Sequence, residues 1–68
     1  MQNVIKNMEI WIAKSGMKKK EVARQMEITE KKLSDILHGR KKIDVPIIRT
    51  FCVVLAITPN DLFMYKEQ

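Results

Sequence analysis

Apolar side chains recur three or four positions apart along most of this 68-residue chain, which is the spacing of one face of an α-helix. The first segment with this spacing contains Val4, Ile5, Met8, Trp11 and Ile12. The Ser-Gly pair at positions 15 and 16 then predicts the end of a helix over about residues 2–14. Val22, Ala23 and Met26 predict a second helix of about eight residues that ends near Glu27.

The segment TEKKLSDILHGRKK, residues 29–42, predicts a third helix followed by a basic loop. Leu33, Ile36 and Leu37 form one apolar stripe, with Thr29 before it as a candidate N-cap and Gly39 after it as a stop signal. Only about three residues separate this helix from the second. The face opposite the stripe contains Lys31, Asp35 and His38, and the stripe is flanked by Lys32 and Ser34.

The C-terminal half predicts two further helices. Asp44 is a candidate N-cap for the apolar run VPIIRTFCVVL. In ITPNDLF, Thr58 is a candidate N-cap, Pro59 suits the first helical position, and Asp61 can complete a capping box. Because strand alternation and internal repeats are absent from the sequence, we expect one all-α domain of five helices over residues 1–68.

Positive charge is concentrated in one central segment. The whole chain has a net charge of +5, whereas residues 14–42 contain ten basic and four acidic side chains. The segments on either side are close to neutral. This distribution is typical of a site for a polyanion such as DNA, although a solvated basic surface would give the same pattern.

The chemistry available to the chain excludes several classes of function. Cys52 and His38 are the only residues of their types, so we expect no disulfide, metal site or cofactor within one chain. No carboxylate cluster accompanies a plausible nucleophile, and we therefore predict neither an enzyme nor a small-molecule substrate. Cys52 falls at an apolar helical position and is interpreted as a core thiol. The longest apolar run, residues 45–57, is too short to span a membrane, and a cytoplasmic protein is expected.

Two short helices, a tight turn, a capped second helix and a basic loop resemble the helix-turn-helix of the lambda-repressor-like (Cro/C1-type, XRE) family, which includes phage repressors and Cro proteins. The resemblance runs from position 16 to position 63. It implies a compact five-helix lambda-repressor-like DNA-binding domain, with the helix-turn-helix at about residues 18–38 and the recognition helix at about 30–38. The residues that carry it are Gly16, Ala23, Ile28, Leu33, Ile36 and Gly39.

The sequence departs from the family pattern at two places. Glu27 occupies the turn position where the family often has glycine, so either a positive φ costs about 1 kcal/mol there or the turn has another shape. Ile12 and Leu37 occupy positions where the family often pairs an arginine with a glutamate. Because an ion pair can be replaced by packed apolar groups, we predict that these two side chains pack together.

Lys18, Lys19 and Lys20 lie in the first turn of helix two, where the helix dipole favours negative charge and where we find no capping residue. This placement predicts an anion there, and the family resemblance implies a DNA phosphate near Lys19. Three solvated lysines are the alternative interpretation. Four further residues are candidate phosphate contacts: Thr29, Arg40, Lys41 and Lys42.

The candidates for reading DNA bases lie on the outer face of helix three. Lys31 could donate to guanine O6 and N7, and Asp35 or Glu30 could accept from cytosine N4. The alternative is that Lys31 and Asp35, four positions apart, pair with each other. The full predicted set is Glu30, Lys31, Lys32, Ser34 and Asp35.

The C-terminal end is the candidate dimer interface, because a short terminal helix has little room to bury a run of apolar residues. The alternative is that these residues cover the core of the monomer. The run comprises Leu62, Phe63, Met64 and Tyr65.

These features favour a sequence-specific regulator of transcription that binds double-stranded DNA as a homodimer, of the phage repressor or Cro type. The alternative is a protein-interaction module of the same fold, such as an antitoxin or antirepressor with weak DNA binding. Neither function requires a membrane.

Overall fold

All five predicted helices are present in the computed structural model, which describes residues 2–64 and, from residue 4 onward, their side chains. No strand occurs within that range, so the all-α prediction is confirmed. The helices are α1 (Gln2–Ser15), α2 (Lys19–Gln25), α3 (Glu30–Leu37), α4 (Val45–Leu55) and α5 (Pro59–Phe63).

One hydrophobic core receives side chains from every helix. α1 contacts α3, α4 and α5, while α2 contacts α3 and α4. The predicted α3 stripe is buried in this core, and so are both members of the Ile12 and Leu37 pair. Cys52 is a buried free thiol, and desolvation raises its pKa above the ordinary value. The buried apolar residues are Met8, Ile12, Val22, Ala23, Met26, Leu33, Ile36, Leu37, Phe51, Cys52 and Leu62.

The predicted N-caps fix where three helices begin. The Thr29 hydroxyl accepts from the backbone N–H of Lys32 at 3.0 Å, and Asp44 Oδ1 accepts from the third residue of α4 at 3.0 Å. Thr58 and Asp61 form the predicted capping box, with both hydrogen bonds at 3.0 Å. Because these side chains satisfy N–H groups that have no partner inside the helix, each start is defined locally by the sequence.

Helices α2, α3 and α4 end in the same way, with a residue in the left-handed region. The φ values of these residues are +61° at Glu27, +74° at Gly39 and +57° at Ala56, and Gly16 after α1 also has a positive φ of +75°. After α2, the N–H of Glu27 donates to the carbonyl of Arg24 and the N–H of Ile28 donates to that of Ala23, both at 3.0 Å. This is a Schellman ending, and it confirms that Glu27 occupies the turn conformation that usually takes glycine.

We predict that Glu27→Gly stabilises the domain, because glycine adopts a positive φ without the steric cost of a Cβ atom. The gain in unfolding free energy should be only about 0.5 to 1 kcal/mol, because glycine also increases the entropy of the unfolded chain and this opposes the gain. Urea unfolding would measure it. The control is Glu27→Ala, which removes the charge but keeps the Cβ atom. Equal stabilisation by alanine and glycine would contradict the conformational explanation.

Asn7 ties α5 to α1, an interaction that the sequence pattern did not predict. Asn7 is the one polar or charged residue that is buried as a whole among the described residues, and its Nδ2 donates to the backbone carbonyl of Leu62 at 2.8 Å. This carbonyl belongs to the last turn of α5, where intrahelical partners are missing. Leu62 itself is fully buried. The buried Leu62 side chain and this long-range hydrogen bond therefore both attach the five-residue α5 to the core.

Asn7→Ala should lower the free energy of unfolding by about 1 to 3 kcal/mol, because it leaves the Leu62 carbonyl buried without this donor. The exposed Asn60 on α5 provides a matched control, and Asn60→Ala should change stability by less than about 0.5 kcal/mol. Equal losses in the two variants, measured by thermal unfolding, would show that the buried hydrogen bond is unimportant.

Candidate nucleic-acid interface

The outer face of α3 is the centre of the candidate interface. Because Leu33, Ile36 and Leu37 are buried, the orientation of α3 about its own axis is fixed. The opposite side of the helix faces solvent. Of the predicted base-reading residues, Glu30 and Lys31 are exposed. The other three, which are partly buried, are Lys32, Ser34 and Asp35.

Asp35 lies between two cations and is much less accessible than its helical position suggests. Its Oδ2 is 3.7 Å from Lys31 Nζ, and its Oδ1 is 3.5 Å from Nη1 of Arg40. Only 13% of the Asp35 side chain is exposed, against 87% for Lys31. The predicted alternative of a Lys31–Asp35 pair is therefore present, and a second cation that the sequence analysis placed on phosphate shares the same carboxylate.

Ser34 and His38 also interact along the last turn of α3. His38 Nδ1 is 2.7 Å from the Ser34 carbonyl oxygen and 3.3 Å from its hydroxyl. Because a carbonyl only accepts, this geometry places the ring proton on Nδ1. The exposed imidazole therefore covers the end of the helix beside the basic loop.

Two carboxylates of the protein lie close to the beginning of α2. Lys18 caps the helix without a side-chain hydrogen bond, as predicted, but Lys19 Nζ lies 3.8 Å from Glu9 Oε1 on α1. Glu21 adds an acid in the first turn of α2. Glu9 and Glu21 therefore offset part of the charge of the three lysines, and an anion at the beginning of α2 stays a prediction.

Arg24 is a cation of this surface that the sequence analysis did not single out. Its Nε donates to Glu21 Oε2 at 3.0 Å, and a second nitrogen contacts the other carboxylate oxygen. These hydrogen bonds lower the pKa of Glu21 and raise that of Arg24. The spacing of three residues on one helix is the signal that could have predicted the pair.

Two surface cavities connect the candidate residues to one another. A cavity of about 420 Å³ is lined by Lys20, Glu21, Arg24 and Glu30, so the outer side of α2 adjoins the beginning of α3. A cavity of about 530 Å³ is lined by Ile5, Gly39, Arg40, Lys41, Lys42 and Ile43. The basic loop thus lies against α1, and the Asp35–Arg40 contact joins it to α3. Predicted phosphate residues therefore adjoin both ends of α3, the helix that contains the predicted base-reading residues.

The predicted dimer surface is smaller than the sequence suggested. Leu62 is fully buried in its own domain and is unavailable to a partner, so that assignment was wrong. Phe63 and Met64 are 47% and 63% exposed, and Tyr65 lies outside the described residues. Val45 on α4 is 66% exposed and lines a cavity of about 200 Å³ together with Phe63.

Within the described residues, no helix is long and apolar enough to cross a bilayer. The same part of the chain contains no group of three or more His, Cys, Asp or Glu side chains that could hold a metal ion.

Comparison with known proteins identifies the family. The model of the Cro/C1-type HTH DNA-binding domain matches residues 7–68. No curated protein and no solved structure matches the chain significantly. The family match includes all of α2, α3 and the turn between them, which are the elements that form the candidate interface. Because the match covers most of the sequence and agrees with the five-helix structure, the chain belongs to the family of Cro/C1-type helix-turn-helix DNA-binding domains.

Proposed function

We propose that this protein is a sequence-specific regulator of transcription that binds double-stranded DNA with α3 in the major groove. The observation that carries the proposal is the placement of α3. Its apolar stripe is buried, its polar face presents Glu30 and Lys31 to solvent, and cations adjoin it at both ends. A major groove about 12 Å wide admits one helix, while cations beside the helix would meet the phosphates at the groove edges.

We assign the contacts with DNA bases to the accessible side chains of α3. Lys31 is the main candidate because its ammonium group is highly exposed and is held on one side by Asp35. Glu30, Lys32 and Ser34 complete the set on the same helix. A lysine can donate to guanine O6 and N7, and a glutamate can accept from cytosine N4. This chemistry favours an operator that contains G·C pairs under α3.

We assign the contacts with DNA phosphates to residues on either side of α3. Lys18, Lys19 and Lys20 are exposed at the beginning of α2, and Arg40, Lys41 and Lys42 are exposed in the loop after α3. Thr29 caps α3 and is also exposed, so a phosphate could approach the first turn of that helix. These contacts would hold the protein in register without reading sequence.

The direct test is binding of the full chain to random duplex DNA across a range of salt concentrations, followed by selection of bound fragments. Log K should fall linearly with log salt because cationic side chains release counterions from DNA, and the selected fragments should share a common sequence. Binding that is insensitive to salt, or selected fragments without a shared sequence, would contradict the proposal.

Replacing Lys18, Lys19 and Lys20 by glutamine should weaken binding to all duplex sequences alike. The salt slope should fall by about 0.9 for each DNA phosphate that the variant no longer neutralises. The reduction is expected to correspond to fewer than three phosphates, because Lys19 is already paired with Glu9. Lys6→Gln on α1 is a single-charge control. Fluorescence anisotropy at several salt concentrations measures both quantities, and an unchanged slope in the triple variant would remove the phosphate role.

Lys31→Ala should reduce the preference at one base pair of the selected site by about 1 to 3 kcal/mol while leaving the other positions unchanged. The matched control is Lys41→Ala in the basic loop, which should weaken every sequence equally. Competition binding against single-base variants of the site provides the measurement. If Lys31→Ala weakened all variants by the same factor, Lys31 would be a phosphate contact only.

Assembly as a homodimer follows from the small number of bases that one helix can read. Two copies on a roughly palindromic site would place their recognition helices about 34 Å apart, one turn of DNA. The exposed apolar side chains Val45, Phe63 and Met64 supply a surface for this contact. The surface is small, so dimers are expected to form mainly on DNA.

We predict two chains on each selected duplex and weaker cooperativity in the variant Phe63→Glu. Val53→Glu is the control, because Val53 is an exposed apolar residue of α4 that does not line the cavity beside Phe63. Sedimentation with protein in excess gives the stoichiometry. One chain per site under these conditions would rule out the dimer.

A protein-interaction module is the second candidate, and the acidic residues within the basic surface favour it. Glu9, Glu21 and Asp35 each contact at least one cation there, which reduces the charge available to DNA. An antitoxin or antirepressor with this surface would bind another protein and would show weak DNA binding without a preferred sequence. The salt titration and the fragment selection separate the two functions.

A further inference from the structure

We propose that Asp35 is a positioning residue, which sets the locations of Lys31 and Arg40 for DNA recognition and does not itself read a base. This inference rests on the proposed DNA-binding function and replaces the sequence-based assignment of Asp35 as an acceptor for cytosine. It makes Asp35 the link between the recognition helix and the basic loop.

Burial and contacts argue against base reading by Asp35. A base edge must approach a carboxylate oxygen to within hydrogen-bond distance, but only 13% of this side chain is exposed. Each carboxylate oxygen also has its own cation, at 3.7 Å for Lys31 and 3.5 Å for Arg40. Both oxygens of Asp35 therefore already face cations of the protein itself.

A backbone hydrogen bond also connects Asp35 to Arg40. The N–H of Arg40 donates to the Asp35 carbonyl at 2.8 Å, and the N–H of Gly39 donates to the Ile36 carbonyl at 3.1 Å. With Gly39 at a φ of +74°, these two bonds form the Schellman ending of α3. Arg40 is therefore attached to Asp35 through its backbone and through its guanidinium group, so the first cation of the loop has a fixed position relative to the helix.

The charge arrangement gives Asp35 a distinct effect on specificity. Lys31 has a long flexible side chain, and an acid one turn away restricts the directions that its ammonium group adopts. The carboxylate also adds negative charge near the phosphates. Removing that charge should raise or preserve affinity for random DNA while lowering the preference at the base pair read by Lys31. A general loss of structure would lower both the affinity for random DNA and the preference at that base pair.

The test uses Asp35→Asn in the full chain, which keeps the size of the side chain and removes its charge. Circular dichroism confirms folding, and binding is measured on random DNA and on single-base variants of the selected duplex. We expect the preference at the base pair affected by Lys31→Ala to fall about 2- to 10-fold. In a Lys31→Ala background, Asp35→Asn should cause no further loss of preference.

Two results would overturn the inference. One is a loss of preference at a different base pair that persists without Lys31, which would identify Asp35 as a base reader. The other is an unchanged preference at every position. If Asp35→Asn does not fold, Asp35→Glu replaces it, since it keeps the charge and moves the carboxylate by one methylene. The same loss at the Lys31 base pair is expected, and the same two results count against the inference.

Unfolding of the free protein separates failure of this inference from failure of DNA binding. In a double-mutant cycle, Asp35→Asn and Arg40→Gln should be non-additive because the two side chains are in contact, while Asp35→Asn and the matched change Lys41→Gln should be additive. Equal additivity in both cycles would contradict the Asp35–Arg40 link, whether or not the protein selects a duplex. A protein that selects no duplex would contradict the proposed function alone.

Discussion

Burial of one face of α3 in a core shared by all five helices is the interaction on which the candidate interface depends. Leu33, Ile36 and Leu37 are each at most 5% exposed, and α3 has packing partners in both α1 and α2. A helix of eight residues would not be stable in water by itself, so tertiary packing must supply its stability. The same packing fixes which side chains of α3 face solvent.

The left-handed residues at the ends of α2, α3 and α4 make this packing geometrically possible in a short chain. Each ending reverses the chain within a few residues and satisfies carbonyl groups of the last helical turn. Glycine provides this conformation at position 39, whereas glutamate and alanine adopt it at positions 27 and 56. Two non-glycine residues are therefore in a strained backbone conformation, and this conformation sets the relative positions of the helices.

The helices and most of the core could be predicted from the sequence because they depend on local periodicity and capping. Interactions between residues that are far apart in the sequence could not be predicted in this way. Asn7 appeared as an ordinary polar residue of α1, and only the fold places it against Leu62. Glu9 reaches Lys19 in the same way. Leu62 was assigned to a dimer surface because a short amphipathic helix gives no signal for which of its apolar residues the core accepts.

The candidate site shows the same division between local and distant effects. The spacing of Lys31 and Asp35 on one helix made their pairing a foreseeable alternative. Arg40, which follows the helix after a left-handed glycine, could be placed beside Asp35 only by the three-dimensional chain path. Sequence reasoning therefore predicted the helix of the candidate site and most of its polar residues, but it did not separate the side chains exposed to solvent from those that contact other side chains.

We propose that α3 and the segments on either side of it form the DNA interface. Titration of ¹⁵N-labelled protein with the selected duplex, followed by two-dimensional NMR, tests it residue by residue. We expect the largest amide shifts at the beginning of α2, along the exposed side of α3 and in the loop at positions 39–42. Shifts confined to α4 and α5, with α3 unaffected, would contradict it.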